Sequence, residues 1–202
     1  MFVIRQNDDD VELLEMSSSV KKKQIQDDSR QVPQICKFTW CEPCGKIMPP
    51  RAEHCSMSCD CCIMRVDHHC VWMGNCCIGF LNHKFYILYL TYFSLGCLLT
   101  TIPFSDQVLF QHLGFIELIF TSLARTMAFL VSAILFFGFM CLLVLQLRFL
   151  FMNQTTYEAG IDFRLKPFKQ RFWTKNVMAV FGRRKRDWLN PFKHPFTQDT
   201  AT

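Results

Sequence analysis

Residues Cys59–Cys77 read "CDCCIMRVDHHCVWMGNCC", six cysteines and two adjacent histidines within 19 positions. Nine of the chain's 12 cysteines fall between Cys41 and Cys77, and that block decides how the 202 residues are organised. A disulfide framework needs an oxidising compartment and a route into it. The N-terminal "MFVIRQNDDDVELLEM" has no apolar core of secretory-signal length. Reduced cysteines facing the cytosol and holding metal are therefore the expected chemistry.

Tetrahedral zinc takes four Cys or His ligands, commonly supplied as Cys-x2–4-Cys pairs with a histidine. The block opens with Cys41-x2-Cys44, continues with His54-Cys55 and Cys59-x2-Cys62, and ends with His69 and Cys76. Those eight groups suffice for two Cys3His sites. Cys61, Cys70 and Cys77 are left over. Cys61 and Cys77 read as spare thiols or modification sites. Cys70 follows Asp67-His68-His69 and differs from them. A free thiol is only a few per cent ionised at neutral pH, and a nearby imidazole raises its nucleophilicity. With His69 given to metal, His68 remains as base and Asp67 as the group that orients it. The alternative, Cys70 as one more ligand, stays open on spacing alone.

Working outward, residues 36–84 lack sustained periodicity and are expected to form loops and short hairpins held by metal. Residues 1–35 are polar, include "KKK" at 21–23, and read as a solvated segment with at most a short helix over Val11–Met16. Downstream, "FYILYLTYFSLGCLLTTIPF" (85–104) and "TMAFLVSAILFFGFMCLLVLQL" (126–147) carry no charge. Each is long enough to cross a bilayer as a helix, so 85–152 reads as two transmembrane helices joined by a lumenal loop at 105–125. Lys and Arg number ten over 1–84, two over 85–152 and ten over 153–202, which places both flanks in the cytosol. The fold class is thus an α-helical membrane protein: a two-span hairpin, a loop-rich two-zinc cytosolic domain and a basic C-terminal region, 153–202. There Phe168, Phe172 and Trp173 suggest an interfacial helix stopped at Gly182. "RRKR" at 183–186 either attracts anionic lipid or is a solvated charge run. Two spans and mixed aromatic and basic residues suit a bilayer and argue against nucleic acid.

The run "CEPCGKIMPPRAEHC … CDCCIMRVDHHCVWMGNCCIGFLNHKFY" resembles the DHHC family of protein S-acyltransferases, the palmitoyltransferases. The matching positions are Cys41, Cys44, Pro49, Arg51, His54, Cys55, Cys59, Cys62, Asp67, His68, His69, Cys70, Trp72, Asn75, Cys76, Gly79 and Asn82. "TTYE" at Thr155–Glu158 resembles the family's Thr-Thr-x-Glu motif and also reads as a helix capping box. "NVMAVFG" at Asn176–Gly182 resembles its C-terminal motif. The resemblance implies one structural zinc on Cys41, Cys44, His54 and Cys62, and a second on Cys55, Cys59, His69 and Cys76. It implies that Cys70, with His68 as base and Asp67 as orienter, takes a long-chain acyl group from acyl-CoA (palmitoyl-CoA). Cytosolic cysteines of membrane-associated proteins would then receive it. A multi-pass protein of the Golgi or endoplasmic reticulum is expected, with the cysteine-rich domain and both termini cytosolic.

Three departures from the family pattern stand out. Three residues separate Cys55 from Cys59 where the family has two, so the extra residue must bulge or Cys61 must substitute. Met48 stands where a basic residue is usual before the proline, which is expected to weaken contacts with CoA phosphates. The family normally has four spans, two of them ahead of the cysteine block, and the 40 residues before Cys41 contain none. The chain is accordingly expected to fold its zinc domain but to transfer acyl groups poorly without further spans. A catalytically silent membrane zinc module that binds partner proteins is the alternative.

Overall fold

The computed structural model describes residues 36–110, 117–162, 164, 168 and 172–195; the expectations for residues 1–35 lie outside them. The described chain forms two units, one carrying residues up to His83 and from Asn153 to Phe168, the other residues from Lys84 to Met152 and from Phe172 onward.

In the first unit, three antiparallel hairpins follow one another: β1 (Thr39–Cys41) with β2 (Lys46–Met48), β3 (Glu53–Cys55) with β4 (Cys61–Ile63), and β5 (His68–Cys70) with β6 (Cys76–Ile78). Each strand is only three residues long, too short to be stable as an isolated hairpin. Each return strand is preceded by a left-handed residue, Gly45 (φ 60°), Asp60 (φ 44°) and Asn75 (φ 53°). Gly, Asp and Asn are the residue types that tolerate this conformation. Met48, which replaces the expected basic residue, is buried with Cys41 and Ala52, against Cys44 and Cys62. Gly79 lets β6 approach the second hairpin: a Cβ there would lie 2.6 Å from Ile63 Cγ2 and 2.8 Å from the Met64 carbonyl. Asn82 then receives the Gly79 N–H at 2.7 Å and donates to the Cys77 carbonyl at 2.9 Å.

The second unit is built on α1 (His83–Phe110) and α2 (Glu117–Met152), both long and apolar enough to cross a membrane. They enclose the two uncharged stretches. Much of the expected 105–125 connection is helical, since 105–110 extends α1 and 117–125 opens α2. Apolar side chains on α2 face outward, Ile134 at 70% and Phe137 at 67% exposure, which a water-soluble core helix would not tolerate at such density. The two helices meet through Phe93 and Phe139, 4.3 Å between ring centres, and through Thr101 Oγ1 donating to Ser132 Oγ at 3.1 Å. The C-terminal helix α4 spans Trp173–Phe181, so Phe168 and Phe172 precede it instead of sharing its face. Asn176 donates to the Phe151 carbonyl at 2.9 Å, satisfying an open acceptor in the last turn of α2.

Asn153, at φ 53°, ends α2 and returns the chain to the first unit, where α3 covers Thr156–Ile161. Thr155 and Glu158 form the capping box read from the sequence: Thr155 Oγ1 accepts the Glu158 N–H at 3.2 Å, and Glu158 Oε2 accepts the Thr155 N–H at 3.0 Å. Glu158 has a second duty. Arg51 grips it through Nε at 2.5 Å and Nη2 at 2.9 Å, while Arg51 Nη1 donates to Asn153 Oδ1 at 3.1 Å. The Phe168 ring closes over the guanidinium at 4.4 Å. Both partners of this fork-shaped pair are largely out of water. Glu158→Ala would leave Arg51 buried without its counter-charge and remove half of a cap. A loss of about 3–5 kcal/mol is expected, read as a lower urea midpoint for the first unit's transition.

Candidate metal centres and nucleophile

Strand alternation sorts the cysteines of each hairpin onto two faces. The registers pair His54 with Cys62 and Cys55 with Cys61 in the second hairpin, then His69 with Cys77 and Cys70 with Cys76 in the third. Cross-strand partners share a face, so each histidine carries one cysteine opposite it. The preceding hairpin supplies two more thiols. Two groups result, with ligand atoms within 4.8 Å of one another: Cys41, Cys44, His54 and Cys62; and Cys55, Cys59, His69 and Cys77.

The first group has the composition expected from the sequence. In the second, Cys77 takes the place expected for Cys76. Cys76 opposes Cys70, not His69, and its side chain is exposed, with Sγ 3.8 Å from Cys59 Sγ. Cys77 is buried, its Sγ lies 3.4 Å from His69 Nδ1, and its N–H reaches Cys59 Sγ at 3.2 Å. Cys59 keeps its place despite the extra residue before it, and Cys61 does not substitute. A signal for Cys77 was present in the chain. His54-Cys55-x4-Asp60-Cys61-Cys62-Ile63 recurs fifteen residues later as His69-Cys70-x4-Asn75-Cys76-Cys77-Ile78. In that alignment Cys77 matches Cys62.

Both groups suit zinc by donor type and number. Each histidine turns Nδ1 to the thiols, His54 at 3.2 Å from Cys44 Sγ and His69 at 3.5 Å from Cys55 Sγ. Each turns Nε2 to the left-handed residue of its own hairpin, His54 to Asp60 Oδ1 at 3.6 Å and His69 to Asn75 Oδ1 at 2.9 Å. While Asp60 faces His54 Nε2 at ion-pair range, the Asn75 acceptor at Nε2 of His69 holds the proton there and leaves its Nδ1 lone pair for metal. The thiols need such a cation. Burial, then hydrogen bonding to Cys41 and Cys44, pushes the Cys62 thiol up. Cys77 is pushed up in the same way by burial and by Cys55 and Cys59. Cys55 is drawn down to about 7, burial opposing but outweighed by hydrogen bonds from Cys77, the Met57 N–H, His69 and the Cys59 N–H. With protons alone these thiols compete for ionisation; a central divalent ion lets several ionise together.

Cys70 belongs to neither group. It ends β5 as Cys41 ends β1 and Cys55 ends β3, so it occupies the position of a first metal ligand in a third repeat. The second ligand of that repeat is missing, because Gly74 (φ 72°) stands where Cys59 stands in the hairpin before. Cys70 is 6% exposed. Beside it, His68 Nδ1 donates to Asp67 Oδ2 at 2.7 Å, which makes Nε2 the nitrogen able to take a proton. Asp67 is fully buried and held from α3: Thr156 donates its N–H to Oδ1 at 2.6 Å and its hydroxyl to Oδ2 at 3.0 Å. Burial disfavours the Asp67 charge, but the bonds from His68 and Thr156 and the proximity of His83 outweigh it, and the carboxyl titrates at about 2. Spacing identified Asp67 and His68. It could not reveal Thr156 as the residue that fixes them, eighty-nine positions away.

A model of the DHHC palmitoyltransferase family matches residues 34–161. The chain belongs to that family. Among its relatives, palmitoyltransferase ZDHHC15 of Homo sapiens is 33% identical over 189 residues, covering 85% of this chain and 53% of that protein. Palmitoyltransferase ZDHHC2 of Mus musculus is 37% identical over 164 residues, 75% of this chain and 42% of that protein. Palmitoyltransferase ZDHHC15A of Danio rerio is 36% identical over 157 residues, 75% and 47%. The chain spans about half the length of these curated relatives. For this DHHC chain, the two donor groups set a direct test. Elemental analysis of purified protein is expected to give two zinc ions per chain, about one in Cys77→Ser, and two in Cys76→Ser.

Proposed function

We propose that the protein is a protein-cysteine S-acyltransferase that carries a long-chain acyl group on Cys70. The observation that carries this reading is the Asp67–His68 pair, oriented from α3, beside a cysteine that the repeat leaves without a metal-ligand partner.

The chemistry is a double thioester exchange. His68 Nε2 removes the Cys70 proton, and the thiolate attacks the carbonyl carbon of an acyl-CoA. Collapse of the tetrahedral intermediate breaks the bond to CoA sulfur, and the imidazolium returns its proton to the departing CoA thiolate. A cysteine of the acceptor protein then gives its proton to His68 and attacks the Cys70 thioester. The acyl chain moves to the acceptor, and Cys70 leaves as a thiolate that is reprotonated. Thioesters stand on both sides of each step, so little driving force is needed; positioning and thiol activation supply the rate. Asp67, ionised at neutral pH, holds the His68 tautomer and stabilises the imidazolium that forms in each half-reaction. Zinc in the two donor groups supplies rigidity to the hairpins and takes no part in bond making.

The membrane supports the same reading. α1 and α2 cross it as a hairpin, with the cysteine-rich unit and the basic C-terminal region both on the cytosolic side, an arrangement that the distribution of Lys and Arg supports. Acceptors are cytosolic cysteines of membrane-associated proteins.

Incubation with palmitoyl-CoA is expected to leave a weak hydroxylamine-sensitive label on the wild type and none on Cys70→Ser, with two zinc ions retained in both. A label that persists in Cys70→Ser, or zinc lost with it, would sink the assignment. Asp67→Asn should slow labelling on the order of a hundredfold or more at unchanged zinc content.

A further inference from the structure

We infer that the C-terminal segment of the second unit, Gly182–Pro195, is a binding surface for an anionic phospholipid of the cytosolic leaflet. The inference rests on the membrane-hairpin reading of α1 and α2. The segment is tied along the first turns of α1. Lys84 Nζ donates to the Asp187 and Lys193 carbonyls at 2.9 and 2.7 Å, the Phe85 ring lies 5.7 Å from His194, and the Tyr92 hydroxyl donates to the Leu189 carbonyl. Lys84 and Tyr92 are two turns apart, roughly 12 Å along the helix axis. A segment fastened over that distance at the cytosolic end of a span lies at the level of headgroups and upper acyl chains.

Its side chains divide accordingly. Leu189 is 66% exposed and Phe192 94% exposed, although Trp188 is folded back onto Phe181 and donates to the Gly182 carbonyl at 2.9 Å. The segment half-buries one aromatic and leaves two large apolar side chains outside. In the same segment, Arg183 and Arg184 line a cleft with Lys84, His194 and Pro195. The one carboxylate in the cleft, Asp187, is engaged by Lys193 at 3.3 Å and Arg186 at 3.9 Å. Arg183 and Arg184 are exposed and enter no ion pair among the described residues. Gly182 (φ 84°) brings the cleft's two walls together, since a Cβ there would lie 3.0 Å from the Pro195 carbonyl. Two guanidiniums free to fork onto phosphate oxygens, in a segment that also exposes two large apolar side chains, match a lipid with net negative charge. The lone Lys84 ammonium is spent on backbone carbonyls and serves to place the segment.

The test titrates the full chain, purified in neutral detergent, with dioctanoyl phosphatidylserine, dioctanoyl phosphatidylcholine or inorganic phosphate, following thermal unfolding. Phosphatidylserine is expected to raise the unfolding temperature of the wild type. Arg183→Gln/Arg184→Gln should weaken the apparent affinity on the order of tenfold at unchanged zinc content, and Leu189→Ser/Phe192→Ser should weaken it as well. Equal stabilisation by phosphatidylcholine, an undiminished response in the arginine variant, or the same response to phosphate alone would each overturn the inference. Alkaline carbonate extraction of membranes expressing the chain separates the two readings. Release into the supernatant overturns the membrane hairpin and this surface with it, whereas retention without selectivity for phosphatidylserine overturns the surface alone.

Discussion

A strand sends successive side chains to opposite faces, and in hairpins three residues deep that alternation governs everything the cysteine block can do. His69 and Cys77 oppose each other, so both reach the second donor group. Cys70, next along β5, is thereby committed to the other face, away from the donor group its neighbour joins. A slip of one residue in this register would exchange the two faces. Cys70 would turn toward the donor group, and His69 would turn away from it. The register is secured from outside the hairpin. The Asp67 N–H donates to the Ile78 carbonyl at 2.8 Å, and the Phe80 N–H to the Met64 carbonyl at 2.9 Å. Gly79 admits the close approach that these bonds require.

The same geometry divides the labour between adjacent histidines. His69 has its Nε2 proton held by Asn75 and its Nδ1 among thiols, whereas His68 has its Nδ1 proton held by Asp67. Two imidazoles of identical intrinsic chemistry are thus fixed as opposite tautomers by the acceptor each one meets. The acceptors come from different places. Asn75 belongs to the turn of the same hairpin, so the metal-binding tautomer is set locally. Asp67 is itself held by Thr156 on α3, so the His68 tautomer depends on a segment that returns to the hairpins only after the two long helices. Arg51, clamped on Glu158 and Asn153, binds that segment in place. The Thr-Thr-x-Glu stretch therefore joins a helix cap, a buried ion pair and the orientation of His68.

The sequence was legible where chemistry is written in local spacing. Cysteine pairs, the Asp-His-His-Cys run, two uncharged stretches and the capping box at Thr155–Glu158 all appear within short windows. It misled where two neighbouring cysteines offered the same chemistry and only the fold could choose. Cys76 fits the Asn-Cys pattern of the family, but pairing opposite His69 selects Cys77. The repeat from His54 to Ile63 and from His69 to Ile78 contained that answer, because Cys62 and Cys77 stand at the same offset from their histidines. The bond from Thr156 to Asp67 could not be read from spacing, since no local pattern encodes a contact across eighty-nine residues. Helix ends were also out of reach: Asp106 and Glu117 suggested a loop, yet both residues lie within helices.

The extra residue between Cys55 and Cys59 shows how the hairpins absorb change. An insertion within a strand would turn every later side chain to the wrong face, whereas one in the turn leaves the register intact. Here the length is taken up in the turn from Ser56 to Asp60, and His54 still opposes Cys62. The third hairpin has a turn of equal length, Val71 to Asn75, and the two turns are bonded to each other. Ser58 Oγ donates to the Asn75 carbonyl at 2.8 Å and lies 3.4 Å from His69 Nε2. The added serine-containing loop thus supports the same asparagine that holds the metal-binding tautomer of His69. The insertion consequently acts on the second donor group through its outer contacts, while the four ligand atoms and the face that carries Cys70 stay where alternation puts them.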